Sequence, residues 1–128
     1  MREILFKGKR KDNGDWVEGF LLLDDREYLY RIITKVEYST GTFIDTGYAP
    51  RVKTKTVGQY TGLTDKNGTK IFEGDIVKTT SGRGFVNYYG GCFCVHDFNT
   101  KNNPAIDLVM LGNRVEVVGN IHDERKEG

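Results

Sequence analysis

Thr56-Val57-Gly58-Gln59-Tyr60-Thr61-Gly62-Leu63-Thr64-Asp65-Lys66-Asn67-Gly68-Thr69-Lys70-Ile71-Phe72-Glu73-Gly74-Asp75-Ile76-Val77-Lys78 is the stretch from which the fold is read. It holds a short apolar strand, a turn at Asn67-Gly68, and a second strand entered through Ile71 to Val77. Asn-Gly between two apolar runs predicts a hairpin, because a type I′ turn needs positive φ at both central residues.

Outward from this stretch the pattern stays β. Downstream, Thr79 to Gly84 reads as a turn, Phe85 to Tyr89 as a strand, Gly90-Gly91 as a tight turn and Cys92 to Phe98 as the returning strand. Asn99 to Pro104 is a polar connection. Ile106 to Leu111 and Val115 to Ile121 close the set, separated by Gly112-Asn113-Arg114. Short strands punctuated by turn residues at roughly ten-residue intervals predict a small barrel or sandwich. Upstream, Ile4-Leu5-Phe6 and Trp16 to Leu23 flank the turn Asp12-Asn13-Gly14-Asp15 as an amino-terminal hairpin. The run Phe20 to Leu23 does not alternate, so that strand is either buried on both faces or bent at Gly19. Asp24 to Glu27 is a polar turn and Tyr28 to Ile33 a strand; Thr34 to Gly47 fits two short strands or a structured loop. Arg51 to Val57 alternates as a further strand. No window carries the spacing of a long amphipathic helix.

Composition sets the bounds. A chain of 128 residues supports one domain or two small lobes, and at this size it needs neither metal nor disulfide to fold. Apolar content of 38% is low, and seven Tyr, seven Phe and one Trp supply core volume in compensation. Nineteen Lys and Arg against 18 Asp and Glu give a net charge of +1, so no global field draws the protein to nucleic acid or anionic lipid. The amino terminus lacks the apolar core of a signal peptide and no run reaches the ~18 residues that span a bilayer, so no membrane partner and a cytoplasmic location are expected. Both cysteines fall in Cys92-Phe93-Cys94, which argues against a secreted disulfide framework.

With these segments in hand, the chain resembles the YopX family, small proteins encoded by phages and prophages of Gram-positive bacteria. The likeness is carried by Ile4 to Arg10, Gly14 to Gly19, Thr56 to Val77, and Val115 to Asp123. Tyr28 to Lys55 and Cys92 to Gly112 match loosely. Glu73-Gly74-Asp75-Ile76-Val77 also looks like a strand opening common in SH3-like barrels. The resemblance implies a mainly β protein with an amino-terminal β region at 1–55 packed on an SH3-like barrel at 56–123, followed by a charged tail at 124–128. It attaches no activity to any residue.

The chemistry-bearing residues give little. Cys92 and Cys94 face the same side of a strand with His96 near, but a zinc site needs four ligands and a buried thiol usually packs as a small apolar group. A Cys94 nucleophile with His96 or His122 lacks an orienting third group. Glu18, Glu73 and Asp75 read as turn and surface carboxylates. No dinucleotide, phosphate-loop or zinc-protease motif occurs, so no enzyme, cofactor, metal or small-molecule substrate is expected. The surface signal is basic: Arg51, Lys53 and Lys55 alternate along one predicted strand, and Lys7, Lys9 and Lys11 along another. Such stripes either guard sheet edges or track a phosphate backbone. The leading expectation is a protein-interaction module, self-associating or binding a protein partner, in the cytoplasm of a bacterial host. The alternative is a nucleic-acid-binding protein using the basic faces. What separates them is whether Arg51, Lys53, Lys55 and the amino-terminal lysines merge into one patch beside exposed tyrosines.

Overall fold

The computed structural model describes residues 4–24, 29–38, 44–80, 82–98 and 106–123. Among these the chain is mainly β and falls into two compact units, Met1–Gln59 and Tyr60–Gly128. The tail at 124–128, the turn beyond Asp24 and the connection at 99–105 lie outside the described residues.

In the first unit β1 (Phe6–Lys9) and β2 (Trp16–Asp24) form the predicted hairpin, with Phe6 opposite Gly19 and Lys9 opposite Trp16. Their loop closes through Arg10 N–H to Asp15 O and Gly14 N–H to Arg10 O, with Gly14 at φ 77°. β3 (Leu29–Ile33) pairs with β2 from Phe20 opposite Ile33 to Leu23 opposite Tyr30. One face of this sheet is packed: Ile32 and Val52 are fully buried there. Gly8 and Gly19 share that face, where a Cβ on Gly8 would lie 3.2 Å from Val52 Cβ and one on Gly19 would run into the Ile33 carbonyl. Glycine here permits close approach of neighbouring strands. Of the two alternatives for Phe20 to Leu23, burial on both faces is excluded, since Phe20, Leu22 and Leu23 are all exposed. β4 (Lys35–Tyr38) and β5 (Ile44–Tyr48) pair antiparallel, so the two-strand alternative for that region is the one adopted.

The segment read as a strand from Arg51 to Val57 is instead two isolated bridges, Arg10 with Val52 and Arg31 with Arg51, followed by a 3-10 turn at Thr54–Thr56. Thr56 is the reason. Its buried hydroxyl accepts from Lys9 N–H at 2.8 Å and donates to Lys53 O at 2.6 Å, competing with a ladder as threonine side chains do. β6 (Gly58–Thr64) then pairs with β1 through Gly58 and Gln59, which ties residues 56–59 to the first unit.

In the second unit β6 continues antiparallel to β7 (Lys70–Phe72), with Tyr60 opposite Phe72 and Thr64 opposite Lys70. The turn between them is not the expected type I′. Gly68 N–H donates to Asp65 O, which puts Lys66 and Asn67 at the centre and leaves Gly68 at φ 81° as the left-handed residue after them. Asp65 selects this geometry: one oxygen accepts from Asn67 and Thr69 N–H and the other from Val117 N–H, at 2.8 to 2.9 Å. A type I′ turn does occur in the chain, at Gly90-Gly91, where both φ values are positive and Tyr89 faces Cys92.

The run Ile71 to Val77 is likewise two strands. Gly74, at φ 93°, turns the chain out of β7 into β8 (Asp75–Thr79). β9 (Gly82–Tyr89), β10 (Cys92–Asp97), β11 (Ile106–Asp107) and β12 (Glu116–Asn120) complete a sheet ordered β11-β10-β9-β8-β12. Gly82 to Gly84, read as turn, belongs to β9. The expected strand Ile106 to Leu111 ends at Asp107, whose side chain caps Val109 N–H and starts the helical turn α1 (Leu108–Leu111). The core comprises Ile71, Val77, Val86, Phe93, Val95, Leu108 and Val115. Edge strands β11 and β12 do not pair with each other, so no barrel closes among the described residues.

Burial alone would raise the pKa of the Asp65 carboxyl, but the N–H donors of Val117, Thr69 and Asn67, with the Lys66 charge, outweigh it and hold the group below the usual range. A depressed carboxyl stabilises the fold above its unfolded value, about 3.9, and that contribution is lost as pH falls through the folded value. Asp65→Asn is therefore expected to cost about 1–3 kcal/mol at neutral pH. The gap from wild type should narrow in acid, as urea denaturation at a series of pH values will measure.

Candidate nucleic-acid interface

Side chains alternate across a strand, so the outer face of the first unit's sheet follows from its register. Lys7, Lys9, Trp16, Glu18, Phe20, Leu22 and Arg31 project opposite the face packed by Ile32 and Val52. The isolated bridges add the 50–53 segment. Lys11 N–H donates to Arg51 O at 2.9 Å and Lys53 N–H to Lys9 O at 2.8 Å, which pairs the two lysine runs across some forty residues of sequence. Arg10 and Val52 lie directly opposite each other on the packed side, so Arg51 and Lys53 fall on the outer side. On the other flank, Ile32 N–H donates to Pro50 O and Val52 N–H to Tyr30 O, making Arg31 and Arg51 a non-hydrogen-bonded pair of directly opposite side chains.

Of the six predicted contact residues, Arg51, Lys53, Lys55 and Lys11 are exposed. Lys55 sits in the 3-10 turn, off the strand. Lys7 is half-buried and Lys9 only 8% exposed. Their ammonium groups lie 4.8 and 5.6 Å from the Trp16 ring centroid, cation–π contacts that fix both lysines over one indole. Arg10 is turned away: its guanidinium forks onto Asp12 at 2.9 and 2.7 Å, which lowers the Asp12 pKa. Arg31 donates to Ala49 O at 3.0 Å, holding its head in place. Trp16 and Arg31 escaped the sequence reading. The signal for Trp16 was the hairpin loop length, which sets it opposite Lys9; for Arg31 no local signal exists.

The reading of Asp75 as a turn or surface carboxylate is corrected. Asp75 is fully buried and structural, accepting from Phe72 N–H at 2.8 Å and from Asn120 Nδ2 at 3.0 Å. Glu18 lies exposed on the first unit's sheet. Cys92 and Cys94 do share a side, with sulfurs 3.3 Å apart. No group of three or more His, Cys, Asp or Glu able to hold a metal ion occurs among the described residues. The hydrogen bond with Cys94, then burial and the negative charge of Cys94 and Asp107, push the Cys92 thiol up to about 11. Since the thiolate is the nucleophile, alkylation of Cys92 by iodoacetamide should be slow at neutral pH and accelerate as pH rises toward about 11. A thiol that reacts rapidly at neutral pH would contradict this assignment. No helix among the described residues is long and apolar enough to cross a membrane.

Comparison with known proteins gives two findings. The family model described as "YopX protein" matches residues 5–126. The chain is also similar to protein EF1440 from Enterococcus faecalis, known from a crystal structure, at 27% identity and a TM-score of 0.62, with 95% of each chain covered. No curated protein matches.

Proposed function

This chain belongs to the YopX family, and we propose that it is a non-enzymatic module that binds nucleic acid through the outer face of its first unit. The observation that carries the proposal is the pairing of the two basic segments. Arg31 faces Arg51 and the Lys9–Lys11 segment faces Arg51 to Lys53, so cations from both segments gather on one side of the strands. A groove or face lined with cations in this way can track a phosphate backbone. Trp16 provides an aromatic floor beneath Lys7 and Lys9, and Glu18, opposite Lys7, is an acidic side chain on the same face. The setting, a phage or prophage product in the cytoplasm of a bacterial host, is part of the proposal and rests on the family resemblance. So does the description of the second unit as SH3-like, which the opening Glu73 to Val77 motivates.

A protein partner or a second copy of the chain is the other reading, favoured by exposed Phe20 and Leu22 on the same face. Charge reversal separates the two. Arg51→Glu with Lys53→Glu should weaken retention on immobilised single-stranded DNA while leaving the circular dichroism spectrum unchanged. Retention of the double variant equal to wild type would remove the first unit's outer face as the nucleic-acid site, and no retention of either protein would leave the protein partner.

A further inference from the structure

The second unit carries a separate surface. Its core side holds Val77, Val86, Phe93 and Val95. The register places Phe85 opposite His96, Asn87 opposite Cys94 and Tyr89 opposite Cys92 on the reverse side of β9 and β10. There the rings form a continuous row. Phe85 and His96 stack at 5.2 Å with an interplanar angle of 18°, Phe98 lies 5.7 Å from Phe85, and Tyr89 meets His96 edge-on at 6.0 Å. Tyr89 is 65% and Phe98 50% exposed. Aromatic rings gathered on an outer sheet face, with apolar core available behind them, mark an interaction site.

Two further observations say what sits on it. Arg83 and Lys78 are directly opposite each other at the Phe85 end of the row, both exposed, with Glu116 opposite Lys78 on its other side, so Arg83 is the cation nearer the rings. Within the row, Asn87 Oδ1 and His96 Nε2 are buried with no hydrogen-bond partner among the described residues. Buried polar atoms are rarely left so. Rings to stack on, polar atoms able to meet a base edge, and cations for phosphate are together the chemistry that recognises unpaired nucleobases.

We propose that the outer face of β9 and β10 is a stacking platform for the bases of single-stranded nucleic acid. Phe85, His96, Phe98 and Tyr89 take the bases, Lys78 and Arg83 the adjoining phosphates. Asn87 and His96 become available to a base edge when the Tyr89 ring moves aside. The inference rests on the reading of the protein as a nucleic-acid binder, but it adds a dependence on bases that the first unit's basic face does not require.

The test compares two fluorescein-labelled strands of equal length and charge, oligothymidylate and its abasic counterpart, by fluorescence anisotropy at fixed salt. Wild type should bind the base-bearing strand about tenfold more tightly, since each stacked base contributes substantially to affinity. Tyr89→Ala with Phe98→Ala, two exposed positions, should bring oligothymidylate down to the abasic level without changing abasic binding. Arg51→Glu with Lys53→Glu should weaken both strands. Equal affinity of wild type for the two strands would overturn the platform and leave the basic-face reading standing. Binding to neither would overturn both.

Discussion

Asp75→Ala is expected to lower the unfolding free energy by about 2–5 kcal/mol, because two buried donors lose their acceptor at once and each orphaned group costs about 1–3 kcal/mol. The side chain is fully buried, its oxygens accepting from Phe72 N–H and Asn120 Nδ2. These bonds join the turn at Glu73-Gly74 to the end of β12, where Ile121 N–H donates to Gly74 O and Asn120 Oδ1 accepts from His122 N–H. Two of the segments that carry the family likeness are therefore one structural joint. Asn120→Ala should be destabilising too, and the double variant should lose less than the sum of the single losses. Urea denaturation followed by circular dichroism measures all three. A loss below about 0.5 kcal/mol for Asp75→Ala, the range of an ordinary surface change, would show that the joint does not hold the unit together.

Gly19→Ala is expected to cost about 1–3 kcal/mol, the usual penalty of overpacking, although alanine suits most backbone positions. Its Cβ would meet the Ile33 carbonyl and lie 3.1 Å from Ile32 Cγ2, so β3 must move away from β2. That shift disturbs the Arg31–Arg51 bridge on the opposite edge of β3 and should weaken polyanion binding as well as stability. The exposed neighbour provides the contrast: Phe20→Ser, at a residue 59% exposed, should change stability by no more than about 0.5 kcal/mol. A Gly19→Ala protein as stable as wild type would mean that the strands have slack at this crossing.

How far the sequence leads can be judged at particular residues. Apolar runs flanked by Gly and Asn located the hairpins at 6–24 and 82–97, because alternation and turn propensity are local properties. Turn type was harder. Asn67-Gly68 looks like a type I′ pair, but Asp65, two residues ahead, accepts three backbone N–H groups and imposes a longer loop. The same kind of side-chain competition, from Thr56, ends the alternating run at 51–57. Asp107 does it again by capping α1. Small polar side chains that bond to the backbone thus account for three of the departures. The candidate surfaces were half legible. Six basic residues were visible as two runs, but their pairing depends on a bridge between Arg10 and Val52, a long-range contact with no local signature. Lys9 was read as a surface cation and is buried against Trp16. The ring row of Phe85, His96, Phe98 and Tyr89 emerges only once the register of β9 and β10 is known.

The salt dependence of binding to a single-stranded oligonucleotide is the most direct measurement of the central claim. Each phosphate neutralised on a single strand contributes about 0.7 to the slope of log affinity against log salt. With Arg31, Arg51, Lys53 and Lys11 facing the ligand, a slope of about −2 to −3 is predicted for wild type, falling in magnitude by about 1.4 in Arg51→Glu with Lys53→Glu. A slope near zero, or one that the two substitutions leave untouched, would contradict the assignment of the first unit's outer face as the site of nucleic-acid binding.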